Sequence, residues 1–214
     1  MNPADLPPEL GRPAEALLAS VRAIAQGPLA AQAQAIDRGA YPADVLRQLA
    51  AAGAMSAHLA QPDGTPGDYG LAIRAMAEAS RVCGATGFMM WCQAVAGLYL
   101  QASGNPALVG DRLARHVGGQ TLGGTGLSNP MKSFAQIEAL LLKATPVEGG
   151  YLVNGTLPWV SNLAADHYFG AIAAVQAPGE GAGREVMFML RCDAPGITLK
   201  ACPAFSGMEG TGTY

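Results

Sequence analysis

The sequence comprises 214 residues, half of them hydrophobic and 14% charged, with a formal net charge of −3. This charge argues against a nucleic-acid or other polyanionic partner. The four cysteines show no CxxC spacing and the three histidines are scattered, so we predict no metal site and interpret the cysteines as free, buried thiols. The first residues show no basic region followed by an apolar run, so we expect no signal peptide, and no apolar run reaches the ~18 residues that a membrane span needs. We therefore expect a soluble, cytoplasmic protein.

Hydrophobic residues recur at helical spacing through the first half of the sequence. The Gly27-Pro28 pair should break or kink the first helix, and Pro42 and Gly53 mark the two ends of the second. The helix at 85–103 is apolar on nearly all sides, which predicts burial on all sides and a central position. The helices expected are 14–38, 42–53, 69–82, 85–103 and 107–118.

From residue 119 onward the hydrophobic period changes to that of strands. We expect strands at 120–127, 139–145, 150–153, 156–161, 167–175, 186–191 and 197–200. Short strands separated by Gly and Pro turns predict an antiparallel sheet or barrel. The sequence thus predicts an α+β protein, with an all-α domain at residues 1–119 followed by an antiparallel β-barrel domain at residues 120–214. Residues 211–214 have the composition of a strand that is beginning, so we expect this β domain to be incomplete.

The most informative stretch is GYLVNGTLPWVSN, residues 150–162. Asn154-Gly155 predicts a type I′ turn that joins the strands at 150–153 and 156–161 into a hairpin. Trp159 and Ser161 are two residues apart on the returning strand, so their side chains should share one face. That face is either ordinary core or a platform for a flat ligand.

Five segments, taken together, decide between these alternatives. They are LRQLAAAGAMSAHLAQPDGTPGDYG (46–70), GGTGLSNP (123–130), GGYLVNGTLPWVSN (149–162), APGI (194–197) and GMEGTGT (207–213). Their order and spacing resemble those of the acyl-CoA dehydrogenase superfamily of flavoproteins. The resemblance implies a helical domain, a β domain and then a third, helical domain that supplies the catalytic carboxylate. The sequence ends before that domain, so we expect the catalytic base to lie beyond Tyr214.

The resemblance also implies which residues contact FAD. Trp159 would pack against the isoalloxazine, Val160 and Ser161 would offer main-chain groups to it, and the Ser161 hydroxyl would bond near N5. Leu127 and Ser128 would border the pyrimidine end. A flavin has a planar apolar face and a polar rim, so a site for it needs an aromatic side chain and several short-range donors.

Substrate contacts are implied for Ser133 and Tyr99. The sequence departs from the family near Ser133, because Asn129 stands where the family usually has Glu and MKSFA (131–135) replaces Gly-Ala-Gly-Ser-Asp. In the family this loop contacts the acyl-CoA or the FAD pyrophosphate. The apolar residues of the helix at 85–103, such as Met89 and Cys92, are interpreted as core.

The expected function is FAD-dependent α,β-dehydrogenation of an acyl-CoA or similar acyl thioester, with an electron-transfer protein as acceptor. The full-length protein should be a homodimer or homotetramer, and these 214 residues alone should be inactive. Two alternatives remain: a flavin-dependent monooxygenase on the same scaffold, and a non-catalytic module with a vestigial flavin site.

Overall fold

The helices come first along the chain. A computed structural model describes residues 12–61, 63–176 and 183–214. The predicted helices are present, although the one expected at 107–118 is divided at Gly110. None of the helices in these ranges is long and apolar enough to cross a membrane. The helices of this half are α1 (Arg12–Ile24), α2 (Ala30–Asp37), α3 (Ala43–Ala51), α4 (Tyr69–Ser80), α5 (Gly84–Ala102), α6 (Pro106–Val109) and α7 (Asp111–Val117).

The predicted interruption at Gly27-Pro28 is a π-helical turn rather than a break. This turn, Ala25–Leu29, joins α1 directly to α2 and contains Pro28. Proline has no N–H and its ring clashes with the preceding helical turn, so a regular α-helix cannot pass through it without distortion. The wider π turn absorbs that distortion, and the chain remains helical from α1 through α2.

Helix α5 is the element around which the helical half packs. Met89 and Met90 are fully buried and belong to the same core as Leu49 of α3. The prediction that α5 is buried on all sides is wrong on one face. Phe88 and Trp91 are 38% and 45% exposed, and their rings stack with centroids 5.7 Å apart.

The second half contains a five-stranded mixed sheet. Strand β4 pairs in parallel with β1 and with β2 and antiparallel with β5, while β2 and β3 form an antiparallel hairpin. The α+β class, with helices before strands, is confirmed, but the pairing is not purely antiparallel. The elements are β1 (Gly123–Thr125), helix α8 (Ser128–Phe134), β2 (Lys143–Val147), β3 (Gly150–Asn154), β4 (Tyr168–Val175) and β5 (Glu185–Arg191).

Several predicted strands are wrong. Residues 156–161 and 197–200 are not strands, and the strand expected at 120–127 is confined to β1. The hairpin turn lies between β2 and β3, at Glu148-Gly149, and not at Asn154-Gly155. Residues 156–161 cannot continue as a strand, because Trp159 has a left-handed backbone with φ of +63° and the preceding Pro158 has no N–H for a ladder.

The segment 160–163 instead pairs with the last residues of the chain. Val160 and Tyr214 exchange two backbone hydrogen bonds of 2.9 and 3.0 Å. The N–H of Asn162 donates to the Thr211 carbonyl, and the N–H of Leu163 donates to the Gly212 carbonyl. These four bonds fix residues 160–163 outside the main sheet.

A buried polar cluster, centred on Gln93 of α5, connects the helical half to the β half. The Gln93 amide nitrogen donates to the carbonyls of His116 and Thr121 at 3.1 and 2.9 Å. Its amide oxygen accepts the Gly123 N–H at 2.8 Å. Asn162 then donates to the Gly123 carbonyl at 2.6 Å and accepts from the Tyr41 hydroxyl. The Gln93 cluster therefore holds α5, α7, β1 and segment 160–163 together.

Replacing Gln93 by leucine should destabilise the whole chain. Leucine has nearly the same shape but leaves the buried Gly123 N–H and the Thr121 carbonyl without the Gln93 amide as their partner; the His116 carbonyl still accepts the Gly119 N–H. The expected loss is about 2–4 kcal/mol in the free energy of unfolding, measured by chemical denaturation. Gln32→Leu is the matched control, because Gln32 is exposed and bonds only to the Pro28 carbonyl. Equal losses in both variants would contradict the role assigned to the Gln93 cluster.

Acid should weaken the fold through His116. Burial lowers the pKa of His116 to about 4, and burial also lowers the pKa of His58 and of His167. The unfolded chain, in which histidine has a pKa near 6.5, therefore takes up protons more readily than the folded chain. Stability is fully present above pH ~6.5 and falls as the pH drops toward 4, with about 3 kcal/mol coming from His116.

Denaturant unfolding at pH 7 and pH 5 checks this expectation. His116→Asn should show a smaller loss between the two pH values than the native sequence. A variant with an unchanged pH dependence would assign the effect to other groups.

Candidate functional site

Two segments that the sequence predicted to carry the site lie side by side. A Cβ on Gly124 would lie 2.0 Å from the Ser161 carbonyl oxygen, and one on Gly126 would lie 2.9 Å from Leu157. Residues 124–126 thus run past residues 157–161 in opposite directions, at a distance that only glycine permits. We name this pair of segments, 124–128 and 157–161, the paired wall.

Trp159 stands out from the paired wall. Its side chain is 51% exposed and packs against Phe205, with ring centroids 5.8 Å apart. The left-handed backbone at Trp159 turns the indole outward while Val160 and Ser161 are buried. The prediction that Trp159 and Ser161 share one strand face is therefore wrong, and Trp159 is not a core residue.

The Trp159 indole borders a cavity of about 520 Å³. Val160 and Phe169 contribute apolar walls, and Cys202 lies on its far side. Of the site residues predicted from sequence, Trp159 and Val160 line this cavity, whereas Leu127, Ser128 and Ser161 do not. Its volume is within the usual range of small-molecule and cofactor sites.

The cysteine prediction is confirmed for three of the four thiols. Cys83, Cys92 and Cys192 are free and buried, and Cys202 is free and half-buried. Burial raises the pKa of Cys92 to about 12 and that of Cys192 to about 11, so both stay protonated at neutral pH.

Ser161 belongs to a short chain of hydroxyls. Its Oγ lies 2.6 Å from Thr213 Oγ1, which lies 2.8 Å from Thr211 Oγ1. A hydroxyl has one donor and two acceptor positions, so Ser161 retains hydrogen-bonding capacity toward a further group. Sequence reasoning did not single out Thr213, although it lies in the GMEGTGT segment that carries part of the resemblance.

The main-chain donors of the paired wall differ from the expected set. The Val160 N–H is already bonded to the Tyr214 carbonyl, so the prediction that Val160 offers this group to a ligand is wrong. The N–H groups of Leu127 and Ser161 have no hydrogen-bond partner in the part of the chain that the structure describes. Leu127 is half-buried, and Ser128 is exposed at the start of α8.

These groups match what a flavin requires. The half-exposed indole of Trp159 offers a planar apolar surface. The free N–H groups of Leu127 and Ser161 and the hydroxyls of Ser161 and Thr213 offer the polar partners that a flavin rim needs. In kind, these are the groups that the cofactor implied by the resemblance would need, although only Trp159 among them lines the 520 Å³ cavity.

Asn129, which stands where the acyl-CoA dehydrogenase superfamily usually has Glu, bonds to the segment that follows α8. It is 3% exposed, donates to Glu138 and to the Ala139 carbonyl, and accepts the Leu141 N–H, each at 2.9 Å. An amide can donate and accept in this way, whereas a carboxylate can only accept. Half-buried Ser133 and exposed Met131 and Phe134 lie on α8, and exposed Ile137 follows it.

Tyr99, the other residue expected to contact substrate, joins α5 to β1. Its hydroxyl lies 2.6 Å from Thr125 Oγ1, and its ring packs over Gly170 of β4. Burial raises the pKa of Tyr99, so the phenol stays neutral. Tyr99 thus contacts Thr125, a residue of the paired wall.

Residues 13–120, half of the chain, match the family model described as acyl-CoA dehydrogenase, N-terminal domain. The chain belongs to the acyl-CoA dehydrogenase family. A curated relative, benzylmalonyl-CoA dehydrogenase of Aromatoleum aromaticum, is 28% identical over 180 residues, which cover 80% of this chain and 45% of the relative. The chain therefore spans under half of that relative's length.

Two solved structures share the fold. Glutaryl-CoA dehydrogenase of Mycobacterium smegmatis, in complex with FADH2, matches 95% of this chain and 52% of its own, with a TM-score of 0.77 and 18% identity. Dibenzothiophene monooxygenase of Paenibacillus sp. A11-2 matches 92% of this chain and 48% of its own, with a TM-score of 0.71 and 18% identity. The same fold thus occurs in proteins with different reactions.

Substitution of Gly124 should separate the paired wall. In Gly124→Ala the new methyl group would overlap the Ser161 carbonyl, so β1 or segment 157–161 must move. We expect a lower melting temperature, by several degrees, corresponding to a strain of about 1–3 kcal/mol. Gly84→Ala is the control, because a Cβ there meets nothing within 4 Å. A melting temperature equal to that of the control would contradict the close approach.

Proposed function

We propose that this chain forms the flavin-binding wall of an FAD-dependent enzyme that removes hydrogen from Cα and Cβ of an acyl thioester. Family membership supports the reaction class. The observation that carries the proposal is the meeting of the two wall segments beside the half-exposed indole of Trp159. The chain spans under half of its curated relative, so the activity of the whole protein is part of the proposal.

Five residues of the paired wall receive a role. Trp159, held by Phe205, would pack against the ring system and exclude water from it. Leu127 and Ser161 would donate their free N–H groups to the polar rim, with the Ser161–Thr213 hydroxyl pair beside them. Val160 would contribute packing through its side chain, and Ser128 would border the pyrimidine end.

The cofactor and the protein would supply different parts of the reaction. Bound at the paired wall, FAD would supply the acceptor for the hydride that leaves Cβ of the thioester, and a carboxylate would take the α-proton. Glu209 accepts the Phe205 N–H, and we assign none of the described carboxylates to this role. The wall itself would bind and orient, and Ser133 and Tyr99 are proposed as substrate neighbours. Reoxidation by an electron-transfer protein and a homodimeric or homotetrameric assembly belong to the same proposal.

Titration of the chain with FAD tests the wall directly. Flavin fluorescence and absorbance should change on binding, and Trp159→Ala should weaken binding about tenfold or more, as loss of a packed aromatic contact typically does. Ser161→Ala should weaken it less, because the main-chain donors remain. Trp91→Ala is a matched control, since Trp91 is similarly exposed but lies on α5.

Other outcomes favour the alternatives. Failure of the chain to take up FAD would overturn the proposal and favour a non-catalytic module. In the whole protein with bound FAD, an acyl thioester should bleach the flavin without oxygen. A flavin that remains oxidised under these conditions would instead favour a monooxygenase.

A further inference from the structure

A second cavity, of about 170 Å³, lies between α7 and the sheet. Its walls come from Asp111, Arg112 and Arg115 of α7, Tyr168 of β4 and Met189 of β5. It shares no lining residue with the cavity beside Trp159. Side chains alternate across a strand, and Tyr168 therefore faces this cavity while its neighbour Phe169 faces the other. The two cavities lie on opposite faces of β4.

The second cavity carries unpaired positive charge. Within residues 12–61, 63–176 and 183–214, neither Arg112 nor Arg115 forms an ion pair. A third cation, Arg191, lies close by but is paired with Asp193. Asp111 is an acidic group on the same cavity. The two unpaired guanidinium groups outnumber it, and the local charge favours an anion.

The Tyr168 ring contacts the guanidinium groups of Arg112 and Arg191. The Cζ atom of Arg112 lies 5.4 Å from the Tyr168 ring centroid, and that of Arg191 lies 5.7 Å from it. A guanidinium over an aromatic ring is attracted by the ring's negative face and keeps its N–H edge free. That edge matches two oxygens of a carboxylate or a phosphate. Arg112 is exposed, and this contact favours one orientation of its side chain.

The remaining walls limit what can bind. His116 adds no charge at neutral pH, since its Nε2 donates to the Gln93 carbonyl at 2.7 Å and burial holds its pKa at about 4. Leu100 and Met189 are apolar. The volume is below the ~300 Å³ at which cofactor sites begin, which excludes a nucleotide and suits an oxyanion with at most a short apolar body.

We propose that the cavity between Arg112, Arg115 and Tyr168 binds a small oxyanion, either a carboxylate or a phosphate group. This site is separate from the paired wall and does not depend on the proposed function. Two features support it: a formed cavity, and two arginines that form no ion pair within the described residues, one of which contacts an aromatic ring.

Calorimetric titration with inorganic phosphate and with propionate, at constant ionic strength, tests the proposal. Arg112→Gln and Arg115→Gln should each lower the affinity about tenfold, and Asp111→Asn should raise it. A gain in affinity in Asp111→Asn cannot arise from damage to the fold, because such damage would lower the affinity. Arg38→Gln is the control, because Arg38 is exposed, forms no ion pair among the described residues and lies outside the cavity.

Each outcome of the calorimetric titration has its own interpretation. Tighter binding of phosphate identifies a phosphate ligand, and tighter binding of propionate identifies a carboxylic acid. No binding of either anion, or an equal loss in Arg38→Gln, would overturn the site. An Asp111→Asn variant that binds no better than the native chain would also count against it.

Discussion

A single buried amide constrains how the two halves of this protein meet. Gln93 lies in the middle of a helix that carries no charged residue, and it is fully buried. A buried amide without partners costs free energy, so the chain must bring donors and acceptors to it. Those partners come from the end of α7, from β1 and, through Asn162, from the segment after Trp159. The need to satisfy Gln93 therefore sets where the β half starts and where segment 160–163 lies.

The paired wall depends on that placement. Asn162 is bonded on both sides, to Gly123 and to Tyr41, and the residues just before it lie against β1. With Asn162 and Trp159 both at positive φ, the chain cannot run flat as a strand there. The backbone turns so that Ser161 faces inward and the Trp159 indole faces outward. The exposed aromatic and the free N–H groups of the wall thus arise from one local distortion that the buried cluster stabilises.

Local patterns predicted the helices well and the β half less well. Helices α4 and α5 have clear hydrophobic periods and lie within one or two residues of their expected bounds. The Asn154-Gly155 pair is a strong local turn signal, yet β3 is already paired along its length with β2, whose turn lies at Glu148-Gly149. The partners of Gln93 are 23 to 69 residues away, and no local rule shows such pairs. The resemblance located Trp159 and Ser161, but their backbone geometry needed the tertiary structure.

Strand alternation then gives the two cavities different chemistry. Phe169 and Leu190 are cross-strand partners and face the cavity beside Trp159, which is mostly apolar. Tyr168 and Arg191 are the next pair along and face the arginine-bearing side. Because adjacent residues of one strand serve opposite faces, a substitution of Arg112 or Asp111 changes one cavity without touching the lining of the other. The proposed binding of a flavin and the proposed binding of an oxyanion can therefore be tested separately on the same sheet, each through its own residues.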